Sequence, residues 1–149
     1  MKAAVVYFSR TGHTRAEAGR LAAELGATLF ELHSAEPYPE EYKAVVQRAM
    51  AEIRSGTRPA LESMPDVSDY DTVLVGSPNW CGTFAGPVAT FLHDAPLDGK
   101  RVAIFCTSGG SGLANMPRDA AALAPGARFC EIVSGHNGVT LTETDADEK

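Results

Sequence analysis

Between Phe8 and the first helical pattern stand Ser9, Arg10, Thr11, Gly12, His13 and Thr14, a run of side chains suited to holding an anion. Hydroxyls donate hydrogen bonds without adding charge, glycine lets the backbone approach a ligand closely, and Arg10 and His13 bring cationic or titratable groups. The residues before the run, Ala3-Ala4-Val5-Val6-Tyr7-Phe8, have the unbroken apolar character of a strand buried on both faces of a parallel sheet. After it, Ala18, Leu21, Ala22 and Leu25 recur at helical spacing, and Gly26 stands where a left-handed C-terminal cap belongs. Thr14 and Glu17 have capping-box spacing, which predicts a helix that starts at Thr14. The amides of that first turn, its dipole and the hydroxyls of Ser9, Thr11 and Thr14 would converge on one point. The chemistry implied is phosphate binding without a lysine.

Two commoner phosphate signatures are absent. No G-x-x-x-x-G-K-[ST] occurs, which excludes a P-loop, and no G-x-G-x-x-G follows the first strand, which excludes a dinucleotide-binding half.

The elements that must position this loop read as alternating strands and helices. Thr28 to His33 suits a strand near a sheet edge, with Phe30 and Leu32 on one face. Pro39 to Ser55 predicts a second helix with Tyr42, Val45, Val46, Ala49 and Ile53 in one stripe, closed by Gly56. Thr57 to Tyr70 reads as an irregular polar connection. A third strand, Thr72 to Gly76, runs into Ser77-Pro78-Asn79-Trp80-Cys81-Gly82-Thr83-Phe84, a loop of the kind that binds ligands. A helix from Gly86-Pro87 buries Val88, Phe91 and Leu92. The fourth strand, Arg101 to Thr107, leads into Ser108-Gly109-Gly110-Ser111-Gly112, and a weak helix from about Asn115 to Leu123 precedes a fifth strand, Arg128 to Val133. Such alternation implies a parallel sheet with helices on both faces and right-handed crossovers. Ligands then sit at the carboxyl ends of the strands, where the loops after strands one, three and four gather.

Together these three loops resemble the FMN loops of flavodoxins, in particular of a short-chain flavodoxin-like family. Tyr38-Pro39-x-x-Tyr42 and Tyr70-Asp71 are similar to the same family, and the likeness runs from residue 2 to about 134. It implies an α/β, doubly wound, five-stranded parallel sheet in the order 2-1-3-4-5, and FMN as cofactor. Position by position, it assigns Ser9, Arg10, Thr11, Gly12, His13 and Thr14 to the phosphate. Pro78, Asn79, Trp80, Cys81 and Gly82 fall along the ribityl chain and one ring face, and Thr107, Ser108, Gly109, Gly110 and Ser111 at the pyrimidine edge. The indole of Trp80 offers a flat face for stacking.

Composition agrees with one soluble domain: 149 residues, 44% apolar, 21% charged. The net charge of -6 argues against nucleic acid as a partner. No apolar stretch is long enough to span a membrane, and the first residues do not read as a signal peptide. Cys81, Cys106 and Cys130, an odd number without metal spacing, point to reduced thiols in a cytoplasmic setting. A phosphatase cradle of the C-x5-R type is excluded because Gly112 stands where the arginine would, and a receiver domain because Gly76-Ser77 offers no acid. His33, His93 and His136 show no metal spacing and read as structural.

Two functions fit the resemblance. One is an electron carrier between protein partners; the other is an FMN-dependent reductase passing electrons from NAD(P)H to a small acceptor such as a quinone. A scaffold that has lost FMN is a third. Cys81 stands directly after Trp80, where flavodoxins commonly have glycine, so a positive φ there would cost roughly a kilocalorie per mole. Ser77 to Gly86 also contains no Asp or Glu, which eases formation of an anionic, fully reduced flavin. Both features lean toward two-electron chemistry. After the fifth strand no helical stripe follows: Asn137-Gly138 between Glu131-Ile132-Val133 and Val139-Thr140-Leu141 predicts a hairpin in place of the last helix, with an acidic end at residues 144–149. The sheet face beside the first helix would then be under-covered, and a homodimer or another chain would dock there.

Overall fold

The computed structural model describes residues 1–107, 113–135 and 138–143. In chain order the elements are β1 (Ala3–Tyr7), α1 (His13–Leu25), β2 (Thr28–Glu31), α2 (Tyr42–Ser55), β3 (Thr72–Pro78), α3 (Gly86–Asp94), β4 (Arg101–Thr107), α4 (Met116–Leu123), β5 (Arg128–Gly135) and β6 (Gly138–Glu143). They form one sheet in the order β2-β1-β3-β4-β5-β6. The first five strands are parallel and follow the expected order; β6 pairs antiparallel with β5, so the hairpin stands where a last helix was missing from the sequence.

The apolar strands are buried because each face carries a helical layer. Period-two alternation sends Val5, Tyr7, Leu74, Ala103 and Phe105 toward Ala18, Leu21 and Ala22 of α1. The other set, including Val6, Val73, Val75, Val102 and Ile104, meets Val45 and Ala49 of α2, Val88, Phe91 and Leu92 of α3, and Met116 and Ala120 of α4. The left-handed caps at Gly26 and Gly56 end α1 and α2 where expected, and Pro87 opens α3. No helix among the described residues is long and apolar enough to cross a membrane.

Several expectations are corrected. The face beside α1 is not bare: Ile132, Val139 and Leu141 of the β5–β6 hairpin pack against the α1 cluster, and Phe105 and Cys130 there are only 7% exposed. Helix α2 begins at Tyr42 rather than Pro39, and the stripe is split, with Val45 and Ala49 buried but Tyr42 and Ile53 facing solvent. The connection from 57 to 70 is less loose than its polarity suggested. It buries Val67 completely and bridges to the loop after β2 through Ser34 and Leu61.

Candidate functional site

Ladder register places Tyr7 beside Gly76 and Pro78 beside Thr107, so the loops leaving β1, β3 and β4 start from one edge of the sheet. Phe8 continues the contact, its N–H donating to the Gly76 carbonyl at 3.1 Å.

In the first loop the cap of the helix stands two residues earlier than the capping-box spacing implied. Gly12, at φ 100°, occupies the cap position of α1, a conformation that only glycine adopts without strain. Thr14 makes no cap bond. Its hydroxyl shares a 2.6 Å hydrogen bond with the Thr107 hydroxyl, while Glu17 is engaged by Arg20 three residues on. That bond ties the first turn of α1 to the end of β4. The Ser9 hydroxyl accepts from the Gly12 N–H at 3.0 Å, which leaves its own proton for an outside acceptor. Thr11 and the His13 ring lie 2.9 Å apart in a hydrogen bond. The hydroxyls therefore each have an internal partner but keep donor or acceptor capacity, and the amides of the first turn of α1 have no acceptor within the helix. Arg10 takes another direction: its guanidinium donates to the Glu40 carbonyl at 2.8 Å and lies 5.6 Å from the ring centre of Tyr42. A cleft of about 450 Å³ opens beside this loop, between Ser9, Arg10, Thr11, His33 and Tyr38.

In the second loop, Trp80 and Thr83 exchange two backbone hydrogen bonds, at 2.8 and 3.1 Å, around a two-residue turn. Such a turn demands positive φ at both central residues. Cys81 stands at φ 57° and Gly82 at φ 86°, so the closed turn carries the conformational cost that a side chain brings to this region. Asn79 accepts the Gly82 N–H through its side chain at 3.0 Å. The turn is anchored to the start of α4, where the Asn115 N–H donates to the Gly82 carbonyl and the Thr83 hydroxyl to the Asp119 carboxylate at 2.6 Å.

Trp80 is 9% exposed. Its ring meets Phe8 edge-on at 5.5 Å and Tyr38 at 5.0 Å. Tyr38 is itself clamped: its hydroxyl donates to Glu52 at 2.7 Å, and the Arg48 guanidinium lies 3.8 Å from its ring centre while bonding Glu52 and the carbonyls of Glu36 and Pro37. Burial, and then the neighbouring Glu52 carboxylate, push the Tyr38 hydroxyl far above the usual tyrosine range. In the third loop Thr107 is placed at the edge as above, whereas Ser108, Gly109, Gly110 and Ser111 lie outside the described residues.

The flavodoxin family model matches residues 2–144. The chain belongs to the flavodoxin family. Among solved structures, it is similar to a Bacteroides eggerthii protein described as a candidate flavoprotein, with 32% identity, 87% of this chain and 85% of that one covered, and a TM-score of 0.79. A flavoprotein in complex with FMN from Lactobacillus acidophilus matches at 26% identity over 87% of this chain and 90% of that one, with a TM-score of 0.75. A Fusobacterium nucleatum flavodoxin bound to flavin mononucleotide shares the fold at 12% identity, over 92% of this chain and 73% of that one, TM-score 0.50. No curated protein matches the sequence.

Sequence reasoning missed the support beneath the flavodoxin loops: Arg48, Glu52, Asn115, Thr83 and Asp119. For Arg48 and Glu52 a signal existed in their i, i+4 spacing on α2. Asp119 and Thr83 are joined only by tertiary packing.

Proposed function

We propose that this chain binds FMN across the carboxyl ends of β1, β3 and β4 and serves as an FMN-dependent redox protein, passing electron pairs to a small acceptor such as a quinone. The observation that carries the reading is the Thr14–Thr107 hydrogen bond, which draws the hydroxyl loop and the end of β4 together at the first turn of α1. The donors suit a phosphate: hydroxyls, helix amides and the positive end of a dipole, with no carboxylate anywhere from Ser9 to Thr14. The FMN-bound Lactobacillus acidophilus relative supports the same ligand. FMN, when bound, supplies the electron transfer, and the protein supplies binding, orientation and electrostatics. In that division Ser9, Thr11, Gly12, His13 and Thr14 hold the phosphate, while the Pro78 to Gly82 turn and Thr107 flank the ring system. Arg10 acts indirectly by pinning the loop to Glu40.

The preference for electron pairs rests on the absence of Asp and Glu from Ser77 to Gly86. Two acids lie against this loop from outside it, and both are engaged: Asp119 by Thr83 and Arg118, and Glu52, beside Gly86, by Tyr38 and Arg48. An anionic reduced ring meets less repulsion beside such a loop.

Titration with FMN and with riboflavin, followed by quenching of flavin fluorescence, tests the binding site. FMN should bind at micromolar concentration or tighter and riboflavin far more weakly. Thr11→Ala should weaken FMN about tenfold, the equivalent of one net hydrogen bond to a charged group, and leave riboflavin unchanged. Equal affinity for the two flavins would refute the phosphate assignment. NAD(P)H oxidation by the loaded protein with a quinone present separates the reductase from a carrier.

A further inference from the structure

Thr11 and His13 flank the left-handed Gly12, and the Thr11 hydroxyl lies 2.9 Å from His13 Nδ1. Both side chains are exposed, and among the described residues Nε2 of the ring has no hydrogen-bond partner. The protons on this pair decide what it offers a ligand. In one neutral form Thr11 donates to Nδ1, and the outward donor is Nε2–H. In the other, Nδ1–H donates to Thr11, the hydroxyl proton turns outward, and Nε2 presents a lone pair. Either neutral form has one donor to give. With a proton on each ring nitrogen the pair has two, Nε2–H and the Thr11 hydroxyl, and the ring keeps no lone pair. A phosphate monoester accepts through three oxygens and carries close to two negative charges a little above neutral pH, so the protonated pair is the form that matches it.

The surroundings leave this ring to supply the charge. Arg10 is turned to the Glu40 carbonyl. Arg15, whose Nη1 stands 3.9 Å from where a Cβ on Gly12 would be, is paired with Glu31. Of the carboxylates, Glu17, one turn along α1, is held by Arg20, and Glu31 by Arg15 and Tyr7. Glu40 and Glu62 line the cleft beside the loop, together with His33. The second loop, Ser77 to Gly86, brings one titratable side chain, Cys81; Thr107 stands at the end of β4, and Ser108 to Gly112 carries no titratable group. The β5–β6 hairpin meets α1 at Glu24, near the other end of the helix. Among the described residues no ion pair includes His13, so a bound phosphate would be its first anionic partner.

We propose that His13 takes up a proton when phosphate binds, and so selects the doubly charged phosphate of FMN. The inference rests on the FMN reading above and adds one proton to it. That proton comes from solvent, and no other covalent bond changes. An anion within hydrogen-bond reach favours the charged form of an imidazole, the side chain whose ordinary range lies nearest neutral pH.

Calorimetry of FMN binding at about pH 7.5, in Tris and in HEPES, reads the proton directly, because the two buffers differ in ionisation enthalpy and FMN is already close to a dianion there. The wild type should show net proton uptake and His13→Gln none. From about pH 6.5 to 9 the wild-type dissociation constant for FMN should rise about tenfold, the equivalent of one hydrogen bond to a charged group. In His13→Gln it should stay flat, at the wild-type value for the alkaline end, and riboflavin should show no such rise with either protein. Far-UV circular dichroism checks that the variant is folded. The wild type also carries its own test: the imidazole proton resonance that His13→Gln lacks should keep its protonated shift to higher pH with FMN bound than without it. FMN preferred over riboflavin, but with the same binding enthalpy in both buffers after correction for dilution, overturns the proton uptake alone and leaves the phosphate assignment standing. A pH dependence that His13→Gln retains overturns it as well. Equal affinity for the two flavins, or no binding of either, overturns both.

Discussion

Gly76 and Phe105 offer a sharp test of how the carboxyl edge of the sheet is built. They are register partners on β3 and β4, and the Phe105 ring lies over the place where a side chain on residue 76 would stand. A Cβ added at Gly76 would come within 2.1, 2.4 and 2.8 Å of the ring's Cζ, Cε2 and Cε1. Carbon atoms are comfortable at about 3.5 to 4 Å, so in Gly76→Ala the ring must withdraw by more than roughly 1 Å. It has nowhere to go at low cost, because Phe105 is 7% exposed and packed among Val5, Tyr7, Leu21 and Leu74 at interior density. Overpacking of this kind costs about 1–3 kcal/mol, and the reduced backbone freedom of the unfolded chain returns about 0.5–1, leaving a net loss of about 1–2 kcal/mol. Urea denaturation followed by circular dichroism and by Trp80 fluorescence reads such a loss directly. The partner variant Phe105→Leu removes the ring, and in the double variant the new methyl fills part of the space vacated. Its loss should therefore fall short of the sum of the single losses by about 1 kcal/mol. A Gly76→Ala midpoint equal to wild type, or strict additivity in the cycle, would refute the packing argument.

Cys81→Asn should raise stability by about 0.5–1 kcal/mol in thermal melts, because Asn tolerates the left-handed conformation that Cys81 already adopts and recreates the Asn-Gly pair such turns favour. Tyr38→Phe should cost about 1 kcal/mol near neutral pH by removing the hydrogen bond to Glu52. It should also flatten the alkaline limb: the folded Tyr38 hydroxyl titrates above its unfolded value, so its stabilising contribution is complete below the ordinary tyrosine range and declines as pH rises beyond it. Urea midpoints of wild type and variant from about pH 8 to 11 would show the difference in slope, and parallel slopes would count against it. Glu31 behaves in the opposite sense. Burial tends to raise its carboxyl, but hydrogen bonds from Arg15 and Tyr7 outweigh that and hold it below the usual range. Its contribution is present above the unfolded value and is lost on acidification, so Glu31→Gln should shallow the acid limb, by under about 1 kcal/mol since the Arg15 partner is exposed.

Much of the fold was legible because its signals are local. β4 came out residue for residue from an apolar run bounded by charge and hydroxyl, and α3 from a Pro-opened stripe. The hairpin was readable too, since β5 and β6 pair around the Asn137-Gly138 position that marked it, although residues 136 and 137 lie outside those described. What misled was evidence that short range cannot weigh. Thr14 and Glu17 have the spacing of a capping box, yet a hydroxyl 93 residues away in sequence competes for Thr14 and Arg20 for Glu17, so the cap passes to Gly12. The α2 stripe likewise has the right period, but burial is decided by which side meets the sheet; Val45 and Ala49 face it and Tyr42 and Ile53 do not.

Trp80 shows how the two kinds of information combine at the site. Its place in a Pro-Gly loop at a strand's carboxyl end marks it as an aromatic near a ligand, and its type suggests a stacking face. Whether an indole there is a loose lid or a fixed wall depends on what lies behind it. Here Phe8 and Tyr38 meet it edge-on, Tyr38 is clamped by Glu52 and Arg48, and the turn that carries it is bonded to α4 through Gly82 and Thr83. The supports reach the ring from three directions, from Phe8 after β1, from α2 through Tyr38 and from α4 through the turn, so its orientation is over-determined and a planar ligand would meet a surface that is already set. Such preorganisation lowers the entropy cost of binding. It also makes Arg48, which bonds none of the described hydroxyls of these loops, a residue whose loss should be felt at Trp80: Arg48→Met keeps the stem and removes the charge, and it should shift the Trp80 emission maximum and lower FMN affinity a few-fold. Arg48→Lys should not rescue either readout, because a single ammonium cannot lie flat on Tyr38 while reaching Glu52, Glu36 and Pro37 together. Unchanged Trp80 emission in both variants would show that the indole is held by Phe8 and the turn alone.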